Sequence, residues 1–359
     1  MLHDGCRRSR RAVIIGFSRA KRCSAEKLPY GAALVSKSWL PPAPGIRSAP
    51  RHAPIPTDAG AGIIPRQRFA LGHFVNTWRL SVLSVTALLA ISVPAAAREP
   101  APRAIIALSP YLDTLTSLKL SVKGIENTFL FDTAGGSTVV TPDFAKSIGC
   151  KPWDRVTGFR MRGDRVDAQR CDHVQVDIDH LPVNIAMATV FDFSKLLPKD
   201  APPLSGSLAL DAFAGEIVTL DLAGGRLIVE TPASAKARVR GAQEVPVRFA
   251  REVSGFSLTP LVAVETPAGQ LWMELDCGSD AAIMIARHAA AYVGADPDVE
   301  KQHIAVTLVG GVPVAGQGRV SDFIVDGNIG APILRNWVVT IDLANQRLWI
   351  AQRKSTSPP

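Results

Sequence analysis

The sequence has little of several features that would each point to a common class of protein. Only 6% of its 359 residues are aromatic and only 20% are charged, and its five cysteines form no CxxC pair. Paired cysteine and histidine spacings are missing too, which argues against a structural zinc site. HExxH and GxSxG do not occur, so neither the metalloprotease helix nor the nucleophile turn of most serine hydrolases is expected. We therefore expect no metal and no cofactor.

The net charge of +8 belongs to the N-terminal quarter alone. Residues 1–97 hold 14 Lys+Arg against 3 Asp+Glu, whereas residues 98–359 hold 26 against 29. A nucleic-acid-binding protein gathers Lys and Arg on its folded surface, and here the folded part is slightly acidic. Nucleic-acid binding is therefore not expected. The 47% of hydrophobic residues can form a sizeable core, which excludes a disordered chain.

The N-terminal quarter has the composition of an extension followed by an export signal. Residues 1–74 are proline-rich and without periodicity, so we interpret them as disordered or as a start site assigned too early. Residues 75–97 have the order of a secretory signal peptide, with cleavage expected near Ala97. Its apolar run, residues 80–93, is 14 residues long, short of the ~20 that a membrane-spanning helix needs. We expect an exported protein, periplasmic or secreted, with no stable membrane span; the alternative is a chain anchored by residues 80–93.

Export changes the interpretation of the cysteines. Only Cys150, Cys171 and Cys277 would remain in the exported part. An oxidising compartment permits a disulfide between Cys150 and Cys171. Two buried free thiols are the alternative, and the sequence leaves both open.

The exported part contains an internal repeat. A block of 25 residues that begins at Gly206 aligns without gaps with one that begins at Gly327, at an offset of 121. Upstream of each lies a second matching block, around Asp132 and around Asp276, at an offset of 144. The first unit is therefore 23 residues longer, and we place the additional residues in the proline-containing segment 191–204.

Both units follow the same order of elements. An apolar strand ends in an Asp-containing turn, a short helical segment runs to Gly149 or Gly294, and alternating strands follow. Strands at short spacing with little helix indicate an all-β protein. We predict two homologous lobes from an internal duplication, residues 98–240 and residues 241–359.

Each unit has one Asp at the end of its apolar strand, and this arrangement suggests an enzyme that uses a pair of carboxyl groups. Two carboxyl groups ~3 Å apart across a pseudo-twofold axis share one proton, because both cannot ionise cheaply. One then acts as a base on water while the other, protonated, polarises the scissile carbonyl group.

The residues around these turns resemble a known family. FDTAGGS around Asp132, LDCGSD around Asp276 and the downstream Asn328-Ile329-Gly330 are similar to the signatures of retropepsin-like and pepsin-like aspartic proteases. The resemblance covers residues 105–351. It implies two aspartic-protease-like β-barrel lobes with short helices, both in one chain, and hence a monomer.

By this resemblance Asp132 and Asp276 form the catalytic dyad. Thr133 would hold its loop by hydrogen bonding across the lobe interface. Gly278 would let the backbone approach the carboxylate closely, since it has no Cβ atom.

The resemblance also implies a flap over the substrate. At three positions, however, the sequence departs from the family's motifs. We expect the flap at the Gly310-Gly311 hairpin, and a matching first-lobe hairpin would turn near Gly163. Ala134 replaces the Gly of the first triplet, and Ala209 replaces the downstream Gly. Cys277 replaces a Thr or Ser, and its thiol is a weaker donor than a hydroxyl group. None of these changes removes a carboxylate.

Two functions of different classes remain open at this point. The first is an exported aspartic endopeptidase that hydrolyses peptide bonds of a protein or peptide substrate with water activated by Asp132 and Asp276. The second is a catalytically impaired module of the same fold that binds extended peptides in the inter-lobe cleft by strand addition. Both aspartates could also simply bind turn amides in an unrelated β protein.

Asp221 and Asp342 repeat as well, and we interpret them as structural turn residues or Asp–Arg pairs.

Overall fold

The computed structural model describes residues 99–194 and 197–353. The predicted extension 1–74, the predicted signal peptide 75–97 with its cleavage site near Ala97, and the alternative anchor 80–93 lie outside the described residues. Among the helices of the described segments, none has the length and apolar character to cross a membrane.

The first lobe is built mainly from strands. Its eleven strands are β1 Ala104–Ala107, β2 Ser109–Tyr111, β3 Leu115–Val122, β4 Ile125–Phe131, β5 Val139–Val140, β6 Trp153–Phe159, β7 Arg165–Ile178, β8 Leu181–Val190, β9 Gly206–Leu208, β10 Ile217–Asp221 and β11 Arg226–Glu230. Eight of them form one sheet in the order β2-β3-β4-β9-β5-β8-β7-β6, and pairing of β3 with β7 closes it on itself. The short helices are α1 Pro142–Ser147, a 3₁₀ helix Leu210–Phe213 and α2 Pro232–Arg238.

The second lobe repeats this plan. Its strands are β12 Gln243–Val245, β13 Val247–Ala250, β14 Thr259–Thr266, β15 Gly269–Asp276, β16 Ile283–Ala286, β17 Gln302–Leu308, β18 Val312–Ser321, β19 Gly327–Gly330, β20 Trp337–Asp342 and β21 Arg347–Gln352. Seven form a sheet in the order β13-β14-β15-β19-β16-β18-β17, which pairing of β14 with β17 closes. The short helices are 3₁₀ helices Val253–Gly255 and Arg287–Val293 and the α-helix α3 Ala331–Leu334.

A third sheet joins the two lobes. Its order is β1-β11-β10-β20-β21-β12, three strands from each lobe. At its centre β10 and β20 run antiparallel with Thr219 opposite Thr340, and the two hydroxyl oxygens are 2.9 Å apart. These threonines are equivalent in the repeat, and equivalent residues of two such strands face each other only on a twofold axis. The prediction of an all-β protein with two homologous lobes is confirmed.

Local sequence explains the short helices that follow each Asp turn. Thr141 caps the N-terminus of helix α1, and its hydroxyl oxygen accepts a hydrogen bond from the Phe144 amide at 3.2 Å. Gly149 and Gly294 follow the two helical segments with φ angles of 79° and 65°, the left-handed region that glycine adopts without strain. The predicted helical segments are therefore present in both lobes.

The two lobes differ in one hairpin. The second lobe joins β17 directly to β18, whereas the first lobe places an additional strand, β6, against the equivalent pair β7 and β8. The prediction that all additional residues lie in 191–204 is therefore wrong in part. Some form β6 and the turn after it, and the rest lie in the loop after β8.

The disulfide that the sequence left open is present. Cys150, just after α1, is bonded to Cys171 on β7, with Cα atoms 6.1 Å apart. It ties the first helix to the long strand from which the additional hairpin extends. Cys277 is buried and free.

The repeated aspartates outside the dyad serve turns. Asp221 accepts a hydrogen bond from the Gly224 amide at 2.9 Å and pairs with Arg226 at 2.6 Å. Asp342 accepts from the Asn345 amide at 2.8 Å. Both contacts agree with a structural turn role.

Candidate active site

The two aspartates of the repeat meet at the centre of the molecule. Asp132 follows β4 and Asp276 ends β15, and each of these strands pairs in parallel with the strand of the downstream block, β9 or β19. The apolar residues just before Asp132 are fully buried, whereas Asp132 itself reaches the cavity. The Asp132 and Asp276 carboxyl groups hydrogen-bond to each other, and the residues are only 9% and 7% exposed.

Burial sets the protonation of this pair. It raises the pKa of the Asp132 carboxyl group, against the hydrogen bond from the Ala134 amide. It raises the pKa of Asp276 well above the usual range, and the charge of Asp132 adds to the effect. Because the two groups are coupled, they titrate as a pair that retains a proton to higher pH than an ordinary carboxyl group. This is the state in which one carboxylate is a base and the other is an acid.

Fixed donors orient both carboxyl groups. The Ala134 amide donates to Asp132 Oδ1 at 3.0 Å, and the Gly278 amide donates to Asp276 Oδ1 at 2.8 Å. The two donors are equivalent in the repeat. Asp276 has a further donor, because Asn328 Nδ2 lies 2.6 Å from its Oδ2.

The two Asp loops are also joined by hydrogen bonds across the lobe interface. Thr133 Oγ1 donates to the Leu275 carbonyl at 2.6 Å and accepts from the Cys277 amide at 2.9 Å. In the reciprocal pair, Cys277 Sγ donates to the Phe131 carbonyl at 3.4 Å and accepts from the Thr133 amide at 3.3 Å. The Cys277 thiol thus makes the same two contacts as the Thr133 hydroxyl group, at longer distances. Burial raises the pKa of the Cys277 thiol, so this group stays neutral and is not a thiolate nucleophile.

Gly278 and Ala134 make the dyad asymmetric. A Cβ atom on Gly278 would lie 2.5 Å from Cγ of Asp132, so only glycine permits this approach. Ala134 occupies the equivalent position beside the first loop and carries a methyl group. Asp276 therefore cannot approach Ala134 as closely as Asp132 approaches Gly278.

A cavity of about 290 Å³ opens above the carboxyl groups. Its walls are mainly apolar and come from both lobes. The first-lobe side chains are Leu130, Val139, Val156, Met161, Val166, Ala168, Phe191 and Phe193, and those of the second lobe are Ala250, Val253, Met284, Phe323 and Val325.

The Gly310-Gly311 hairpin, where the resemblance implies a flap, lies away from the cavity. Gly310 and Gly311 do form the turn between β17 and β18, but a Cβ atom on Gly310 would lie 2.7 Å from the Glu244 carbonyl oxygen in the inter-lobe sheet. This hairpin contributes no residue to the cavity lining in the described part of the chain. By its strand pairings this hairpin is equivalent to β7–β8 of the first lobe and not to β6–β7. Its turn therefore lies away from the dyad.

The hairpin that covers the dyad is the additional one, β6–β7, with Gly163 at its turn in the left-handed region (φ 83°). It reaches across to the second lobe at two places. The Ile324 amide donates to the Met161 carbonyl at 2.9 Å, and the Phe159 amide donates to Glu252 Oε2 at 3.2 Å. The first-lobe hairpin expected near Gly163 thus lies where a flap is needed.

Sequence reasoning missed two polar residues beside the dyad: Glu274, which lines the cavity, and Asn328, which is fully buried and bonds Asp276. Asn328 appeared only as part of a downstream motif, and Glu274 was not singled out. The signal for Glu274 was present, because WMELD has a charged residue at the position where the equivalent FLFD has Leu130.

Comparisons with known proteins add little. No family model matches the chain, and no curated protein does. Solved structures similar to it include basic 7S globulin from soybean, at 9% identity and a TM-score of 0.47, covering 69% of this chain and 94% of that one. A likeness at this level carries no information about activity.

Proposed function

We propose that this chain is an aspartic endopeptidase. The observation that carries the proposal is the Asp132–Asp276 pair, with one buried carboxyl group from each lobe, joined by a hydrogen bond at the floor of a covered cavity. Buried carboxyl pairs of this kind are suited to activating water. The Cys150–Cys171 disulfide supports the further proposal that the protein is exported to an oxidising compartment.

The chemistry needs one proton on the pair. The ionised carboxylate takes a proton from water while the protonated carboxyl group donates to the peptide oxygen, and the water oxygen bonds to the carbonyl carbon. The resulting tetrahedral diol then breaks its C–N bond. The protonated carboxyl group gives its proton to the leaving amine, and the other carboxylate takes the proton of one diol hydroxyl group as the product carboxyl group forms. The pair ends with one proton, as it began. The amides of Ala134 and Gly278 hold the carboxyl groups in position throughout.

The cavity suits an extended peptide with apolar side chains. Its walls bury apolar surface from both lobes, and the β6–β7 hairpin lies across the top. If the hairpin lifts to admit a substrate, the Met161–Ile324 and Phe159–Glu252 hydrogen bonds have to open. Closure afterwards excludes water other than the reacting molecule.

Incubation of the full chain with a peptide library between about pH 3 and 8 tests the proposal. We expect cleavage by the wild type and a loss of at least about 10³-fold in Asp132→Asn and in Asp276→Asn, because each variant lacks one partner of the pair. Asp298→Asn changes an exposed side chain and is the matched control. Cleavage that survives in both dyad variants would exclude the mechanism. Peptide binding without any cleavage would favour the binding module.

A further inference from the structure

Glu274 places a third carboxyl group at the floor of the cavity. It lies on β15 two residues before Asp276, so both side chains point to the same face of the strand. Glu274 is 9% exposed and lines the cavity. It lies opposite Asn328 in the β15–β19 pairing. The proposed reaction uses only Asp132 and Asp276, so the mechanism leaves Glu274 without a role.

The carboxyl group distinguishes the two sides of the cavity. The equivalent residue of the first lobe is Leu130, and Ser207 stands there in the place of Asn328. Leu130 also lines the cavity, among valine and phenylalanine side chains. A substrate side chain on the first-lobe side therefore meets an apolar wall, and one on the second-lobe side meets a carboxyl group.

The charges that shift the pKa of Glu274 are negative. Burial raises the pKa of Glu274 to about 8, and the charges of Asp132 and Glu252 add to the effect. The two arginines of the covering hairpin are engaged elsewhere, since Arg160 bonds Asp164 at 3.0 Å and Arg162 lies over the Phe323 ring at 5.9 Å. A buried carboxylate is costly unless a cation pairs with it.

We propose that Glu274 forms a subsite for a lysine or arginine side chain of the substrate, next to the scissile bond on the second-lobe side. The inference rests on the proposed endopeptidase function. Two residues of strand span about 7 Å, so a long cationic side chain beside the dyad reaches Glu274 while its peptide bond lies at Asp132 and Asp276. Pairing with this cation would offset the cost of burying an ionised Glu274 carboxylate.

Cleavage-site mapping with the full chain tests the subsite. In the wild type we expect lysine and arginine to be enriched at one of the two positions that flank the cleaved bond. For a peptide with lysine there, Glu274→Gln should lower kcat/KM about 100-fold, while the matched norleucine peptide changes less than about 3-fold. Glu265→Gln, an exposed carboxyl group on β14, is the control and should change neither.

A second variant and a binding measurement keep the inference decidable. Glu274→Leu installs the residue that the other lobe carries at this position, and it should lose the lysine preference in the same way. Cleavage without basic enrichment, or a preference that survives both substitutions, overturns the subsite. If nothing is cleaved, the endopeptidase proposal fails. The peptides retained by the Asp132→Asn chain then decide the subsite, since retention without lysine or arginine enrichment also overturns it.

Discussion

At the scale of residues, the site depends on a few hydrogen bonds whose donors the sequence identifies. Thr133 and Cys277 occupy equivalent positions, and the side chain of each accepts from the other loop's amide. The difference between them is one of donor strength, because a hydroxyl group donates more strongly than a thiol. The family resemblance implies this contact for Thr133, and the repeat places Cys277 at the equivalent position of the second loop.

The Thr133 hydroxyl group should contribute more to stability than the Cys277 thiol. Thr133→Val leaves the Leu275 carbonyl and the Cys277 amide buried without a partner, so we expect a loss of about 2 kcal/mol or more in the free energy of unfolding. Cys277→Thr replaces the thiol by a hydroxyl group and should be neutral or stabilising by up to about 1 kcal/mol. Urea unfolding at one pH measures both. A larger loss for Cys277→Thr than for Thr133→Val would contradict the account of this contact.

Glu274 should make the protein less stable as the pH rises. Its pKa is about 8 in the folded chain against an ordinary value of 4.5, so between these values the folded state holds a proton that the unfolded state has lost. The contribution is therefore fully present below about pH 4.5 and is lost as the pH rises through about 8. The groups that face Glu274 are Asp132, Asp276, Glu252 and Asn328.

Chemical denaturation of Glu274→Gln at several pH values checks this. Glutamine does not titrate, so the stability of the wild type relative to the variant should fall between about pH 4.5 and 8 by a few kcal/mol at most. Asp211, whose pKa burial raises to about 6, stays in both chains and cancels in the comparison. A stability difference independent of pH would show that Glu274 is ionised in the folded protein.

At the scale of elements, strands and short helices follow from the sequence, but the position of the covering hairpin does not. Periodicity and the repeat predict β4, β15 and the helical segments that end at Gly149 and Gly294. Gly310 and Gly311 predict a hairpin turn, and only the family resemblance implies a flap there. The turn of the β6–β7 hairpin has a single glycine, Gly163. The position of this hairpin depends on pairing of β3 with β7, a long-range contact that local sequence does not encode.

The covering hairpin should be held closed in part by Glu252. Its carboxylate accepts from the Phe159 amide at 3.2 Å, and Glu252→Ala removes that acceptor. We expect faster hydrogen exchange at the Phe159 amide, and a melting temperature that changes little because the contact is at the surface. Glu265→Ala is the control for loss of an exposed carboxylate. Unchanged exchange at Phe159 would show that Glu252 does not restrain the hairpin.

At the scale of the whole molecule, the duplication is visible in both the sequence and the joining sheet. The sequence predicts two lobes but not that three strands of each share one sheet, because β1 and β12 are short and carry no signal of their partners. Thr219 and Thr340 mark the axis, and they are the residues that align at the offset of 121.

A molecule joined in this way should unfold as one unit. Separation of the lobes would break the β10–β20 pairing and expose Thr219, Thr340 and the dyad loops at once. We expect a single calorimetric transition whose van't Hoff enthalpy equals the measured enthalpy. Two separated transitions would show that each lobe folds independently of the joining sheet.

The pH dependence of kcat/KM tests the central claim most directly, for one cleaved peptide and with Asp132→Asn and Asp276→Asn measured beside the wild type. The account predicts a bell-shaped profile for the wild type, whose two limbs belong to the coupled pair. Each asparagine variant should be inactive at every pH, since neither can hold one proton between two carboxyl groups. A variant that stays active with its profile merely shifted would contradict the claim that Asp132 and Asp276 act together on water.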